Sequence, residues 1–216
     1  MRVLMPVPDR DFDVTEVAVP WHVLTAAGHE VVFASERAGA SLTGDPKLLT
    51  GVIFGQLGAE PEPRQFYREM TGTAPFQSPI AWADLRPDQY DGLILPGGHA
   101  PGMRQYLDNS VLRDKIAKFW ALHRPVGAIC HGVLVLARTL DPMTGRSLIA
   151  DRRTTCLPRY LEGPIAITRG TTTDSRPAFV VEDGNYLSAS WPGDAYLFAR
   201  KFLALLDRDQ PPSPTA

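Results

Sequence analysis

Residues 125–137, PVGAICHGVLVLA, constrain the fold of this chain more than any other stretch. Pro125 to Ile129 is short, apolar and lacks the polar alternation of a half-solvated strand, which is the character of a strand buried on both faces in a helix-covered parallel sheet. Gly132 to Arg138 then reads as the helix that leaves it. Cys130 and His131 fall on the sharp strand-to-helix turn between them, with Ala128 and Gly132 small enough to let the chain bend. The G-x-S-x-G elbow of hydrolases exposes its nucleophile above a sheet by the same device.

The rest of the chain fits that architecture. Short β-rich runs alternate with amphipathic segments, which predicts an α/β fold of the flavodoxin-like kind, an open and mostly parallel sheet with helices on both faces. Strands are expected at Val3–Val7, Glu30–Ala34 and Tyr90–Pro96, with a hairpin of Phe179–Val181 and Tyr186–Ala189 around Asp183-Gly184-Asn185. Helices are expected at Thr15–Ala27, stopped by Gly28, at Ser110–His123 with Ser110 as N-cap, and at Asp194–Leu206 with Phe198, Phe202, Leu205 and Leu206 as core stripe. Residues 1–206 read as one domain. Residues 36–80, rich in Gly and Pro with a weakly helical piece at Gln65–Met70, read as an insertion or cap over one edge, and 207–216 as a disordered tail. The stretch from Asp141 to Arg176 is turn-rich and gives no clear element.

Composition removes several function classes. Of 216 residues, Lys and Arg number 22 against 24 Asp and Glu, so there is no basic footprint and no nucleic-acid partner is expected. No apolar run approaches the ~20 residues of a membrane span, and the N-terminus lacks a signal-peptide core, which together imply a cytoplasmic protein without membrane attachment. Two cysteines make no disulfide framework, so Cys130 and Cys156 are expected as free thiols. Five histidines and two cysteines show no zinc-ligand spacing, and no metal is expected. His22, His29 and His123 read as solvated, and Trp21, Trp82 and Trp120 as packing.

The chemistry centres on Cys130. A helix N-terminus beside the sulfur favours a thiolate, which predicts a lowered thiol pKa. LILPGGHAPG supplies a second strand end, whose Gly97-Gly98 turn can stand beside the elbow at the carboxyl edge of the sheet. The backbone N–H groups of Gly98 and His131 are then candidate oxyanion donors, with Gly97 and His99 lining the pocket. Cys156, in RRTTCLPRY, reads as an incidental thiol in irregular chain.

With LPGG, then AICHG some thirty residues later, then SASWPGD before the last helix, the sequence resembles the ThiJ/PfpI superfamily, which shares its fold with class I glutamine amidotransferase domains. The resemblance implies that a glutamate of the first helix, here Glu16 in TEVAVPWHVL, faces the nucleophile; a protonated Glu16 donating to the sulfur makes physical sense of two acidic groups side by side. It also implies a Cys130–His131 pair oriented by an acid. Some relatives carry that acid just after the glycine turn, where this chain has Gly102, so Asp194, Asp151 and Glu162 stay open as candidates. Trp191 stands in the closing motif, where a glutaminase needs histidine and glutamate, and glutamine hydrolysis is not expected.

The resemblance further implies a cofactor-independent enzyme acting on a small-molecule substrate, a reactive carbonyl or its adduct, by glyoxalase III-like lyase or deglycase chemistry, in a homo-oligomer. The alternatives are a stress-response chaperone or redox sensor with an oxidisable Cys130, a peptidase-like acyl hydrolase, and a degenerate member that keeps only a binding pocket.

Overall fold

A computed structural model describes residues 1–51, 58–157 and 177–208. Seven strands form one sheet in the order β5-β3-β1-β6-β7-β9-β8. They are β1 (Arg2–Pro6), β3 (Glu30–Ser35), β5 (Ile80–Ala81), β6 (Gly92–Leu95), β7 (Val126–Ile129), β8 (Val180–Asp183) and β9 (Tyr186–Ala189). All neighbours pair in parallel except the edge hairpin of β8 and β9. A small parallel pair, β2 (Arg10–Phe12) with β4 (Thr43–Gly44), lies outside the main sheet.

The order explains where a site must fall. From β1 the chain steps outward to β3 and β5, then returns to the other side of β1 for β6 and continues to β7. The strand order therefore reverses between β1 and β6, and in open α/β sheets the crevice outside the carboxyl ends at such a reversal is where ligands bind. The helices are α1 (Val14–Ala26), α2 (Pro46–Thr50), α3 (Pro61–Thr71), α4 (Ala74–Gln77), α5 (Met103–Leu107), α6 (Ser110–Trp120), α7 (Gly132–Arg138) and α8 (Ala195–Arg208).

The central strands β6 and β7 are buried along their whole length, as their unbroken apolar runs require. The predicted stripe of α8 is buried at Phe198, Phe202, Leu205 and Leu206. That helix runs two residues past its expected end, through Asp207 and Arg208, and 209–216 lies outside the described residues. The N-cap of α6 is Asn109 rather than Ser110, because the Asn109 amide oxygen accepts the Leu112 N–H at 3.0 Å.

Residues 36–80 are more than a cover. Helix α3 packs against α1, with the His22 ring stacked on Phe66 at 3.7 Å, so His22 is not simply solvated. The segment then re-enters the sheet as β5 beside β3. Among the described residues no helix is long and apolar enough to cross a membrane.

Candidate active site

Cys130 follows β7 directly and takes φ +56°, a left-handed backbone that costs a side-chain-bearing residue about 1–3 kcal/mol. Packing on both sides holds it there. The Cys130 N–H donates to the Ala189 carbonyl of β9 at 3.0 Å, and Gly132 lies so close to the end of β6 that a Cβ there would sit 2.0 Å from the Leu95 carbonyl oxygen. Only glycine lets α7 start so near β6, so the small residues flanking the cysteine make the elbow possible.

Glu16 reaches this elbow from the start of α1. Asp13 is the N-cap of that helix, its Oδ1 accepting the N–H groups of Thr15 at 2.8 Å and Glu16 at 3.0 Å. In a capping box the residue at Glu16's position would reach back to the Asp13 N–H. Here that N–H goes to the Gly97 carbonyl at 2.9 Å, and Glu16 Oε2 instead accepts the Gly97 N–H at 2.8 Å. The glycine turn after β6 is thus clamped to the start of α1. Glu16 Oε1 is buried with no nitrogen or oxygen donor among the described residues, and the carboxyl interacts with the Cys130 thiol. A Cβ on Gly97 would lie 2.7 Å from the His131 nitrogen, 2.9 Å from Glu16 Oε2 and 3.0 Å from Cys130 Cβ. Gly97 is the point where the three functional segments meet.

The electrostatics reverse one expectation. Cys130 and Glu16 are both fully buried. Burial, followed by the Glu16 and Asp13 carboxyls, pushes the Cys130 thiol well above its ordinary pKa, and the His131 backbone N–H only partly opposes this. The helix end is present, but desolvation and two nearby acids outweigh it. Burial and then Asp13 likewise push Glu16 up. Asp13 itself rises to about 6, chiefly through burial, against the two amides it caps. Sequence reasoning passed over Asp13, although an Asp three residues before a Glu at the head of an apolar run is a recognisable helix-start signal.

The other predicted residues fall into two groups. His131 Nδ1 lies 3.6 Å from Cys130 Sγ, and the His99 ring meets the His131 ring edge to face at a centroid distance of 4.9 Å. Gly98 packs against the backbone of Asp11 and Asp13. Of the candidate acids, Asp194 is buried, but its oxygens accept the N–H groups of Phe179 and Ser190, each at 2.9 Å, which ties the edge hairpin to the start of α8. Asp151 is exposed and held in a two-pronged pair by Arg146. Glu162 lies outside the described residues. At Gly102, where some relatives carry an acid, the polar contact comes from Asp11, whose Oδ2 accepts the Gly102 N–H at 2.8 Å. Cys156 is exposed.

His99, whose ring meets that of His131, and Asp13 help to line a cavity of about 570 Å³, within the size range of small-molecule sites. Leu48, Trp191 and Tyr196 are also among its lining residues. Tyr196 donates a hydrogen bond to Glu62, so α8 and α3 are joined across it.

A family model described as ThiJ/PfpI family-like matches residues 7–196. A deglycase of Pyrococcus abyssi is 31% identical over 206 residues, covering 95% of this chain and 99% of the relative. The deglycase PfpI of Pyrococcus furiosus is 29% identical over 198 residues, covering 91% and 94%. In fold, the crystal structure of glyoxalase III from Candida albicans superposes with a TM-score of 0.69 at 20% identity, covering 95% of this chain and 97% of that one.

Proposed function

The chain belongs to the ThiJ/PfpI-like family, and from that premise we propose that it is a cysteine-dependent, cofactor-independent enzyme acting on small reactive carbonyls or their adducts. The observation that carries the proposal is the burial of the Glu16 carboxyl against the Cys130 thiol, next to His131, whose ring meets that of the cavity-lining His99. Burial pushes both groups toward their protonated forms, so Glu16 serves as hydrogen-bond donor to the sulfur rather than as a second charge beside it. As Sγ bonds to an aldehyde carbon, its proton passes to His131 Nδ1, 3.6 Å away, and the carbonyl π pair moves onto oxygen. The Gly98 and His131 backbone amides are the donors we assign to that oxygen, since the Gly97 amide is already committed to Glu16. The hemithioacetal forms when the oxygen takes up a proton, with His131 as the shuttle.

From there the conversion of a 2-oxoaldehyde to a 2-hydroxyacid moves hydrogen from one carbon to the next and adds one water. It is balanced without an external oxidant or reductant, so it needs no redox cofactor. The deglycase and glyoxalase names of the relatives point to the same class of substrate. Of the acids considered for a peptidase reading, Asp194 and Asp151 are engaged elsewhere and Glu162 lies outside the described residues.

The test is lactate formation from methylglyoxal by purified protein without glutathione. Turnover in the native protein and background in Cys130→Ser support the proposal; background in both rejects it.

A further inference from the structure

The fold brings together three metal-ligating side chains that no local spacing reveals. His99 follows the glycine turn after β6, while Cys130 and His131 follow β7. One ligand atom from each can be chosen so that all three lie within 4.8 Å of one another. The Cys130 Sγ to His131 Nδ1 distance is 3.6 Å. With Zn–S near 2.3 Å and Zn–N near 2.0–2.1 Å, a sulfur–nitrogen edge of a tetrahedral zinc sphere is about 3.6 Å, so this edge already has its length. His99 is exposed and lines the cavity.

We propose that His99, Cys130 and His131 form a three-ligand site for Zn²⁺, with the fourth position open to the cavity that His99 lines, and that an occupied site silences the nucleophile. One thiolate and two imidazoles are a donor set suited to this borderline-soft cation, and three protein ligands with an open position are the arrangement of accessible zinc sites. Binding replaces the Sγ proton by the metal; the proton leaves to solvent, and no electron changes hands. The sulfur pair that would attack a carbonyl is then held by zinc. Removal of the metal and reprotonation restore the thiol. Zinc binding itself does not depend on carbonyl turnover; its silencing of the nucleophile rests on the reaction proposed above.

The experiment uses the reduced full-length protein, with Zn²⁺ affinity measured by competition against a chromophoric chelator and Co²⁺ as the optical probe of the same site. The expected result is one Zn²⁺ per chain and a thiolate-to-cobalt charge-transfer band that vanishes in Cys130→Ser but persists in Cys156→Ser. His99→Ala is expected to weaken Zn²⁺ by at least ~10-fold while keeping the native circular dichroism. Zn²⁺ is also expected to raise the melting temperature of the native protein, but not that of Cys130→Ser. The proposal is overturned by absence of the band in folded native protein, by a band that survives Cys130→Ser or is lost in Cys156→Ser, or by unchanged affinity in His99→Ala. None of these readouts requires methylglyoxal turnover, so this proposal and the carbonyl reading fail separately.

Discussion

Cys130 and Cys156 carry the same thiol and occupy opposite surroundings. The first is sealed beneath the carboxyl edge of the sheet, at a strained backbone angle, with two buried carboxyls that push its pKa up. The second lies exposed in irregular chain, its sulfur 3.8 Å from the Leu157 carbonyl. An exposed thiol reacts with whatever diffuses past. A buried one whose proton is held by a neighbouring acid reacts only with a molecule that enters its pocket and gives the proton somewhere to go. Under the proposed reaction, selectivity at the elbow comes from suppressing the thiolate until substrate is present, rather than from keeping it permanently ionised.

That contrast can be broken most decisively by turnover. Cys130→Ser is expected to reduce lactate formation to background, and Cys156→Ser to leave it within about twofold, as measured by initial rates; equal losses would erase the distinction. Next in size is the elbow's packing. Gly132→Ala forces a methyl group into the Leu95 carbonyl and is expected to cost about 3 kcal/mol in denaturant unfolding, with no such cost for Thr155→Ala beside the exposed thiol. A loss below ~1 kcal/mol would mean that α7 can shift freely.

The acids at the elbow set a pH signature of similar or slightly smaller size. Asp13 has a folded pKa of about 6 against an ordinary value of 3.8, so the folded state holds the proton more tightly. Its contribution to stability is greatest below pH 3.8 and is lost as pH rises toward 6, an effect of roughly 3 kcal/mol by linkage. Asp13→Asn is therefore expected to gain on the native protein across that window, and parallel stability curves would contradict the assignment. Smallest is alkylation. At neutral pH Cys156 is expected to take up iodoacetamide at least ~10-fold faster than Cys130. Peptide mass spectrometry reads both rates at once.

The sheet was legible because its signals are local. The apolar runs of β6 and β7, the small residues around Cys130 and the stripe of α8 each lie within a few consecutive residues, and each became the element expected. The electrostatics of the site were not local. The helix end beside Cys130 is visible in AICHG, whereas the carboxyls of Asp13 and Glu16 that overrule it arrive from the start of the chain, carried there by the Gly97 clamp. The resemblance pointed to Glu16, but nothing in the spacing showed what two buried acids would do to a thiol. The same holds for His99, which joins Cys130 and His131 only because β6 and β7 are neighbours in the sheet. Asp194 looked like a free acid or a helix cap and proved to be the tie between the hairpin and α8, a contact between positions far apart in the folded loop.

The hydrogen bond from the Cys130 amide to Ala189 gives the edge hairpin an influence its position conceals. The register that sets Ile129 opposite Ala189 also fixes the angle at which the sulfur leaves the backbone. A sequence change that slides β9 by one residue would turn every one of its side chains over and withdraw that anchor. Activity could then vanish in a variant whose thiol, glutamate and imidazole are all intact, so damage mapped to the rim of this sheet should be weighed as damage to its reactive centre.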